Sequence, residues 1–436
     1  MTARDTIFAP ATAQGRAGVS VMRVSGPRSI EAVERLTGTL PPWRMMQTRT
    51  VRNPADGQTI DHALVVCFPE DGSFTGEITV EIQGHGSIAA QRLLMDTLST
   101  ECNLTLAEPG EFTRRALQNG RLDLSQVEGL ADLINAETSE QHHQAIRVMR
   151  GSLAEAVDRW RGSLVRAAAL IAASIDFSDE ELPPGLVGEV LSLLQTVTVE
   201  ITGQLSGAKG AERVRTGFEV ALLGAPNTGK STLLNWIAGR EVALTSDTAG
   251  TTRDVIEVRC DIGGLPVTLM DTAGVRESAD PIERLGVRRA KDRAQQADLR
   301  VFLSEYSAGL SDDLESIRQR ADLVFSAKSD LYPDVVDGVS GHTGDGVPQL
   351  LAAIEGRVTE MITPDTLVIR KRHQDALSQA VQNLKDVEEN LSEDGLFVDL
   401  AAEQLRVTLQ TLDSVVGKVG VEDLLDEIFK SFCLGK

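Results

Sequence analysis

The chain has 436 residues, of which 42% are hydrophobic, 25% charged and 4% aromatic. That length implies about two to four domains, with cores that need no covalent staples. Forty-three Lys and Arg against 64 Asp and Glu leave a formal charge of −21. This excludes a generic polyanion binder, because phosphate backbones attract basic surfaces; any nucleic-acid role needs a local basic patch or a partner's. Four cysteines, Cys67, Cys102, Cys260 and Cys433, lie far apart and form no CxxC pair, which argues against a disulfide scaffold or zinc ribbon. The opening stretch lacks the apolar segment of a secretory signal. No apolar run reaches the ~18–20 residues of a bilayer span, the longest being Ala167 to Ile175. A soluble, reducing, cytoplasmic protein with no membrane association is expected.

In chain order, Gly18 to Val24 and Ile60 to Phe68 read as strands. Gly26-Pro27, Asp56-Gly57 and Asp71-Gly72 punctuate them, and Ile88 to Leu98 reads as a helix, so residues 1–120 predict an α+β domain. From Leu122 the pattern turns helical: Glu155 to Phe177 carries Ala156, Val157, Trp160, Leu164, Val165, Ala168 and Ile171 on one face. Pro183-Pro184 interrupts it, and Leu186 to Leu205 resumes it. From Thr216 to about Arg357 apolar strands, clearest at Phe218 to Leu223, Val267 to Met270 and Leu299 to Leu303, alternate with helices. That alternation implies a parallel sheet with helices on both faces. From Asp365 onward the chain is helical again, with Leu424, Leu425, Ile428, Phe429 and Phe432 on one face. The organisation expected is multidomain: residues 1–120, then a discontinuous all-α domain formed by 121–215 and 359–436, with an α/β P-loop domain at 216–358 inserted into it.

The strongest chemical signal is Gly224-Ala-Pro-Asn-Thr-Gly-Lys-Ser231, which fits GxxxxGK[ST] between a strand and a helix. Its glycines let backbone N–H groups wrap phosphate oxygens at a helix N-terminus. Lys230 supplies charge to the β/γ-phosphates, and Ser231 a hydroxyl for Mg²⁺. Asp271-Thr-Ala-Gly274 follows a strand, where Asp271 can hold Mg²⁺ through water and the Gly274 N–H can meet a γ-phosphate. Thr251-Thr-Arg-Asp254 lies where a switch loop belongs, and Thr252 can cap Mg²⁺. In this order the motifs specify a GTPase of the translation-factor, Ras-like kind. The expected GTP contacts are Asn227, Thr228, Gly229, Lys230, Ser231 and Thr232 in the first loop and turn. Ser246, Asp247, Thr248, Ala249, Gly250, Thr251 and Thr252 follow in the switch loop, then Asp271, Thr272, Ala273 and Gly274, and Lys328 with Asp330 at the base. Guanine is usually read by NKxD, but Leu323-Val-Phe-Ser-Ala-Lys-Ser-Asp330 carries Ala327 for Asn. Asp330 still accepts from guanine N1–H and N2–H, and Lys328 covers the base plane. Ser340-Gly-His-Thr-Gly-Asp-Gly346 looks like a degenerate SAxxG loop with Gly341 for Ala. Guanine preference with weakened affinity is expected. Val275 stands where Ras-like proteins carry a water-orienting Gln, so another acid or a bound ion must act, and Glu277 and Glu283 are the nearby carboxylates.

Outside these motifs, Ser73-Phe-Thr-Gly-Glu77, Glu81-Ile-Gln-Gly-His-Gly86, Pro109-Gly-Glu-Phe-Thr113, Leu122-Asp-Leu124, Ile175-Asp-Phe177 and Phe432-Cys-Leu-Gly-Lys436 together make the chain resemble the bacterial tRNA-modification GTPases of the MnmE (TrmE) family over essentially its whole length. The resemblance implies an N-terminal folate-binding domain that forms a homodimer, a helical domain split by the G domain, and activation by G-domain dimerisation. It implies K⁺ in the place of an arginine finger, held by Asn227, Ser246, Thr248 and Thr251, and it maps the family's water-positioning acid to Glu283. A 5-formyl- or 5,10-methylene-tetrahydrofolate would meet Arg23, Glu81, Arg121 and Lys436, Arg121 standing where Lys is common. Cys433 is a near-terminal thiol with a chemical or positioning role, or a buried neighbour of Phe432; Gly435 and Lys436 fit a prenylation box poorly. His85 reads as a general base or, better, as a turn residue supporting the folate pocket. The activity implied is GTP hydrolysis driving carboxymethylaminomethyl or aminomethyl formation at C5 of wobble uridine in tRNA. The implied partner is the flavoprotein MnmG, in a heterotetramer where FAD belongs to that partner. The rival readings are a regulatory GTPase of ribosome assembly, which would need an RNA-binding module not evident here, and a folate-dependent one-carbon transferase with a regulatory G domain.

Overall fold

The structure is a computed structural model and describes residues 5–13, 15–176, 186–225, 227–240, 242–244, 257–271, 295–305, 309–310, 312–332, 335–392, 398–419, 428–429, 432 and 435. The chain forms two compact units, Met1–Ala131 with Val416–Lys436, and Asp132–Val415.

The first unit is built on a sheet of β1 (Ile7–Pro10), β2 (Ala17–Ser25), β3 (Gln47–Arg52), β4 (Thr59–Phe68), β5 (Thr79–Gly86) and β6 (Thr105–Leu106). Their order is β3-β4-β5-β2-β1-β6, antiparallel except where β6 joins β1. Strand alternation decides what each face carries. Met22, Val24, Val80 and Ile82 point inward and pack with Val33 and Leu36 of α1 (Ser29–Thr37) and Leu94 and Leu98 of α2 (Ile88–Thr100). The same alternation turns Arg23 and its register partner Glu81 to the opposite face.

Beyond the sheet lie α3 (Glu111–Gln118) and α4 (Leu124–Ile134). Two of the sequence signatures are physical devices here. Arg115 of α3, buried, donates to the Glu77 carboxylate at 3.0 Å, to Glu111 at 2.8 Å and to the Asp5 carbonyl at 2.8 Å. Ser25 donates to the same Glu77 at 3.1 Å and lies 2.8 Å from the Thr75 hydroxyl. Asp123 starts α4: its carboxylate accepts from the Gln126 N–H at 2.9 Å, and Gln126 returns the bond to the Asp123 N–H at 3.0 Å, a reciprocal cap. Val127 and Ala131 of α4 then pack on Phe429 and Phe432.

The second unit combines helices α5 (Ser139–Met149), α6 (Ser152–Asp176), α7 (Leu186–Thr216), α11 (Lys371–Ser392) and α12 (Val398–Val415) with a second sheet. The helices meet through apolar faces and a few satisfied polar contacts, such as the Trp160 indole N–H to Glu200 at 2.8 Å and Gln144 to the Ala211 carbonyl at 2.8 Å. α7 runs to Thr216, well past the Leu205 read from sequence. The glycines at 203, 207 and 210 weaken the helical signal, yet Gly210 is where the helix backbone lies against the Met361 carbonyl. α7 is also, by length and composition, the one described helix apolar enough to cross a membrane. Val190, Leu194, Val197 and Ile201 of α7 are buried within the protein.

The sheet comprises β7 (Phe218–Gly224), β8 (Glu257–Ile262), β9 (Leu265–Asp271), β10 (Leu299–Glu305), β11 (Leu323–Ala327) and β12 (Gly338–Val339), ordered β12-β11-β10-β7-β9-β8. It is parallel except for the edge strand β8, which pairs antiparallel with β9 across Gly263-Gly264. The expectation of a purely parallel sheet is corrected at that edge. Central strands are apolar on both faces, as a covered parallel sheet requires. One face packs on α8 (Lys230–Ala238) and α10 (Val347–Glu360). The other carries Ala221, Leu223, Met270 and Phe302, with the short α9 (Asp312–Glu315) following β10. Asp298 fastens sheet to helix: its carboxylate accepts from Arg213 of α7 and from the Glu219 N–H, both at 3.0 Å.

Arg115→Met removes the shared partner of two carboxylates in a buried network. The expected loss is about 3 kcal/mol, read as an earlier urea transition of the first unit. A change below about 1 kcal/mol would show the network to be dispensable.

Candidate nucleotide-binding site

Parallel strands put their C-terminal ends on one sheet edge, and the loops there build the site. β7 lies between β9 and β10, with Leu222 opposite Asp271 and Gly224 opposite Leu303. The loop leaving β7 enters α8 directly. Lys230, almost fully buried, donates to the carbonyls of Gly224 and Ala225, each at 2.8 Å, and to the Thr228 hydroxyl at 3.2 Å. Burial pushes its ammonium below the ordinary lysine range, and the nearby Asp271 charge partly offsets this. The Ser231 hydroxyl donates to the buried Asp271 carboxylate at 2.5 Å. Lysine, hydroxyl and carboxylate thus converge at the start of α8. Two hard oxygens in contact, beside a cationic loop, suit a Mg²⁺ ion.

A cleft of about 360 Å³ runs from Asn227, Thr228, Gly229 and Thr232 to Ala327, Lys328, Asp330 and the loop Ser340–His342. At its base end the Lys328 ammonium pairs with the Glu305 carboxylate. Asp330 is held from behind: the buried Ser340 hydroxyl donates to it at 2.6 Å and accepts from the N–H groups of His342 at 3.1 Å and Thr343 at 3.2 Å. The sequence motifs give neither Ser340 nor Glu305 a role; a serine opening the loop after a strand is the available signal. Gly341, read there as degeneracy, has a steric cause. A Cβ at this position would lie 2.5 Å from the Leu233 nitrogen and 2.7 Å from its Cα, atoms of a helix backbone that cannot yield.

In the first unit, the Arg23 guanidinium bonds Glu81 at 3.0 Å and lies 5.7 Å and 5.6 Å from the ring centres of Phe74 and Phe112. It also donates to the Gly435 carbonyl at 3.4 Å. Gly435 has φ 93° and its α-carbon lies against the Pro10 carbonyl, so a side chain is excluded there. Arg121 is exposed with its stem beside Gly76, and among the described residues no ion pair joins it to Glu81. His85 hydrogen-bonds Asp61 through Nδ1 and through its own N–H, both at 2.7 Å. Burial would raise the Asp61 pKa, but these bonds to His85 outweigh it and hold the carboxyl below its ordinary value. Cys67, Cys102 and Cys260 are free and buried; burial lifts Cys67 to about 11 and Cys260 to about 12, so these thiols are unreactive. The expected contacts at Ser246, Asp247, Thr248, Ala249, Gly250, Thr251, Thr252, Thr272, Ala273 and Gly274, the acids Glu277 and Glu283, and the tail residues Cys433 and Lys436 lie outside the described residues.

Fold and cleft define a P-loop nucleotide-binding protein in which the sheet interrupts a helical bundle. Residues 6–121 match the family model for the GTP-binding protein TrmE N-terminus, and residues 124–433 match that for the MnmE helical domain. The tRNA modification GTPase MnmE of Roseobacter denitrificans is 52% identical over 99% of this chain and 100% of its own length. The protein of the same name from Ruegeria sp. (strain TM1040) is 50% identical over the same shares. The chain belongs to the MnmE family. A solved FeoB G-domain from Methanococcus jannaschii overlaps 33% of this chain and 98% of its own, at 23% identity and a TM-score of 0.25, too slight a likeness to add to this.

Gly341→Ala forces the base loop off α8. Overpacking of this kind costs about 1–3 kcal/mol, so a lower Tm by calorimetry and weaker nucleotide binding by fluorescence titration are expected. An unchanged Tm would show that the loop is free to withdraw.

Proposed function

We propose that this protein hydrolyses GTP as one subunit of the system that builds the carboxymethylaminomethyl or aminomethyl group at C5 of tRNA wobble uridine. The observation that carries the hydrolytic half is the Ser231–Asp271 contact beside the buried Lys230. The tRNA half rests on membership of the MnmE family. In this reading residues 1–120 bind folate and dimerise, 121–215 with 359–436 form the helical domain, and 216–358 form the G domain.

The loop N–H groups from Asn227 to Ser231 hold the phosphates, and Lys230 contributes charge along the β/γ bridge. Ser231 and Thr252, with Asp271 acting through water, would hold Mg²⁺, which would spread the charge of the phosphates. Asn227, Ser246, Thr248 and Thr251 are the proposed K⁺ ligands, and Glu283 the acid that orients water. Positioning and charge stabilisation account for most of such a transfer. Arg23 and Glu81, with Arg121 and Lys436, are the proposed contacts of a tetrahydrofolate one-carbon donor, and Cys433 acts beside them. The Arg23 cation between Phe74 and Phe112 suits a flat, partly anionic ligand. FAD chemistry belongs to an MnmG-type partner. Such a partner would also supply much of the tRNA contact, in keeping with the −21 charge of this chain. The working compartment is the cytoplasm.

Turnover by the full chain is expected to rise strongly in KCl over NaCl at equal ionic strength, and Lys230→Ala to abolish it in both. Cells lacking the protein should lose the C5-modified wobble nucleosides by mass spectrometry. Equal slow turnover in the two salts would remove the potassium mechanism, and unchanged tRNA nucleosides would remove the modification role.

A further inference from the structure

We propose that this domain reads guanine by its Watson–Crick edge and that no described side chain serves N7, so that a guanine nucleotide with carbon in place of N7 binds it as well as GTP. The inference rests on reading the cleft as a GTP site. Three observations carry it. Among the described residues that line the cleft, Asp330 is the one acid, and the Ser340 hydroxyl fixes it, so guanine N1–H and N2–H meet an oriented acceptor. Once that edge is paired, N7 projects from the opposite side of the purine and needs a donor of its own. The position that would supply one is Ala327, whose methyl group lines the cleft and offers no polar atom.

Among the described residues at this end, the Ser340 and Lys328 side chains are already engaged. The Ser340 hydroxyl donates to Asp330 and accepts two backbone N–H bonds. The Lys328 ammonium is held by Glu305. Asn227, Thr228 and Thr232 belong to the phosphate loop and the first turn of α8. His342 lies at the exposed rim, its N–H committed to Ser340. An amide at 327 could also have bridged the base loop to the phosphate loop. Here Gly341 packs its own backbone directly on Leu233, so the loop is anchored without one. Discrimination against adenine is retained, since adenine has no N1–H for Asp330; sensitivity to the imidazole side of the purine is lost.

The test is competition of GTP, 7-deaza-GTP and ATP against a fluorescent GDP on the full chain. Loss of a real N7 hydrogen bond costs on the order of tenfold in affinity. The expected result is 7-deaza-GTP within about threefold of GTP, with ATP far weaker. Ala327→Asn should then bind GTP in preference to 7-deaza-GTP. If GTP binds and 7-deaza-GTP is tenfold weaker on the unaltered chain, the inference is overturned while the GTP reading stands. If that discrimination disappears in His342→Ala, the imidazole is the N7 reader. If no guanine nucleotide binds, the GTP reading falls and takes the inference with it. The measurement on the unaltered chain decides the matter even if Ala327→Asn fails to fold.

Discussion

The nucleotide site depends on one constraint, the parallel setting of β7 between β9 and β10. Parallel neighbours end on the same edge, so the loops after all three strands must share it. Because Leu222 pairs with Asp271 and Gly224 with Leu303, the phosphate loop, the Asp271 carboxylate and the path to the base are fixed by backbone hydrogen bonds before any side chain acts. The side chains then need to reach only a short way. Ser231 meets Asp271 across one contact, and Lys230 folds onto carbonyls of its own loop.

The same sheet is tied to helices outside it. Asp298, at the start of β10, binds Arg213 near the end of α7 and the main chain at the start of β7. At the far edge, the Gly264 carbonyl of the β8–β9 turn accepts from the Glu140 N–H at 3.1 Å, in the first turn of α5. Arg259 of β8 pairs with Glu137 at 3.0 Å. These contacts place the sheet against the bundle at its centre and at the β8 edge.

Much of this was legible in the sequence, and the failures have physical causes. Strand centres from Phe218 to Leu223 and Leu299 to Leu303 were clear because strands covered on both faces are apolar throughout. The phosphate loop was clear because its chemistry requires glycines and a lysine at fixed spacing. The end of α7 was not, since helix propensity penalises glycines whose value lies in contact with Met361, a partner far away in the chain. The antiparallel edge could have been read from Gly263-Gly264, a two-residue hairpin turn. The bond between Arg23 and Gly435 joins positions 412 residues apart, and no local periodicity encodes such a pairing. The motifs SFTGE and LDL served as family signatures, but their residues Thr75, Glu77 and Asp123 hold a buried network and cap a helix.

The two ends of the cleft tolerate sequence change differently, and the reason is how each makes its contacts. At the phosphate end the ligand-facing groups are largely backbone N–H, so loop geometry is the recognition element and its glycines and lysine admit no substitute. At the other end, the proposed reader of the base is a single carboxylate, Asp330. What Asp330 requires is orientation, and a buried serine with two backbone N–H donors provides it. Residues around it can then change, provided the loop stays anchored. Ala327 and Gly341 are changes of that kind: one removes an amide, and the other lets the loop backbone settle directly on α8. The pattern that looked degenerate as a motif is thus a different way of holding the same acid.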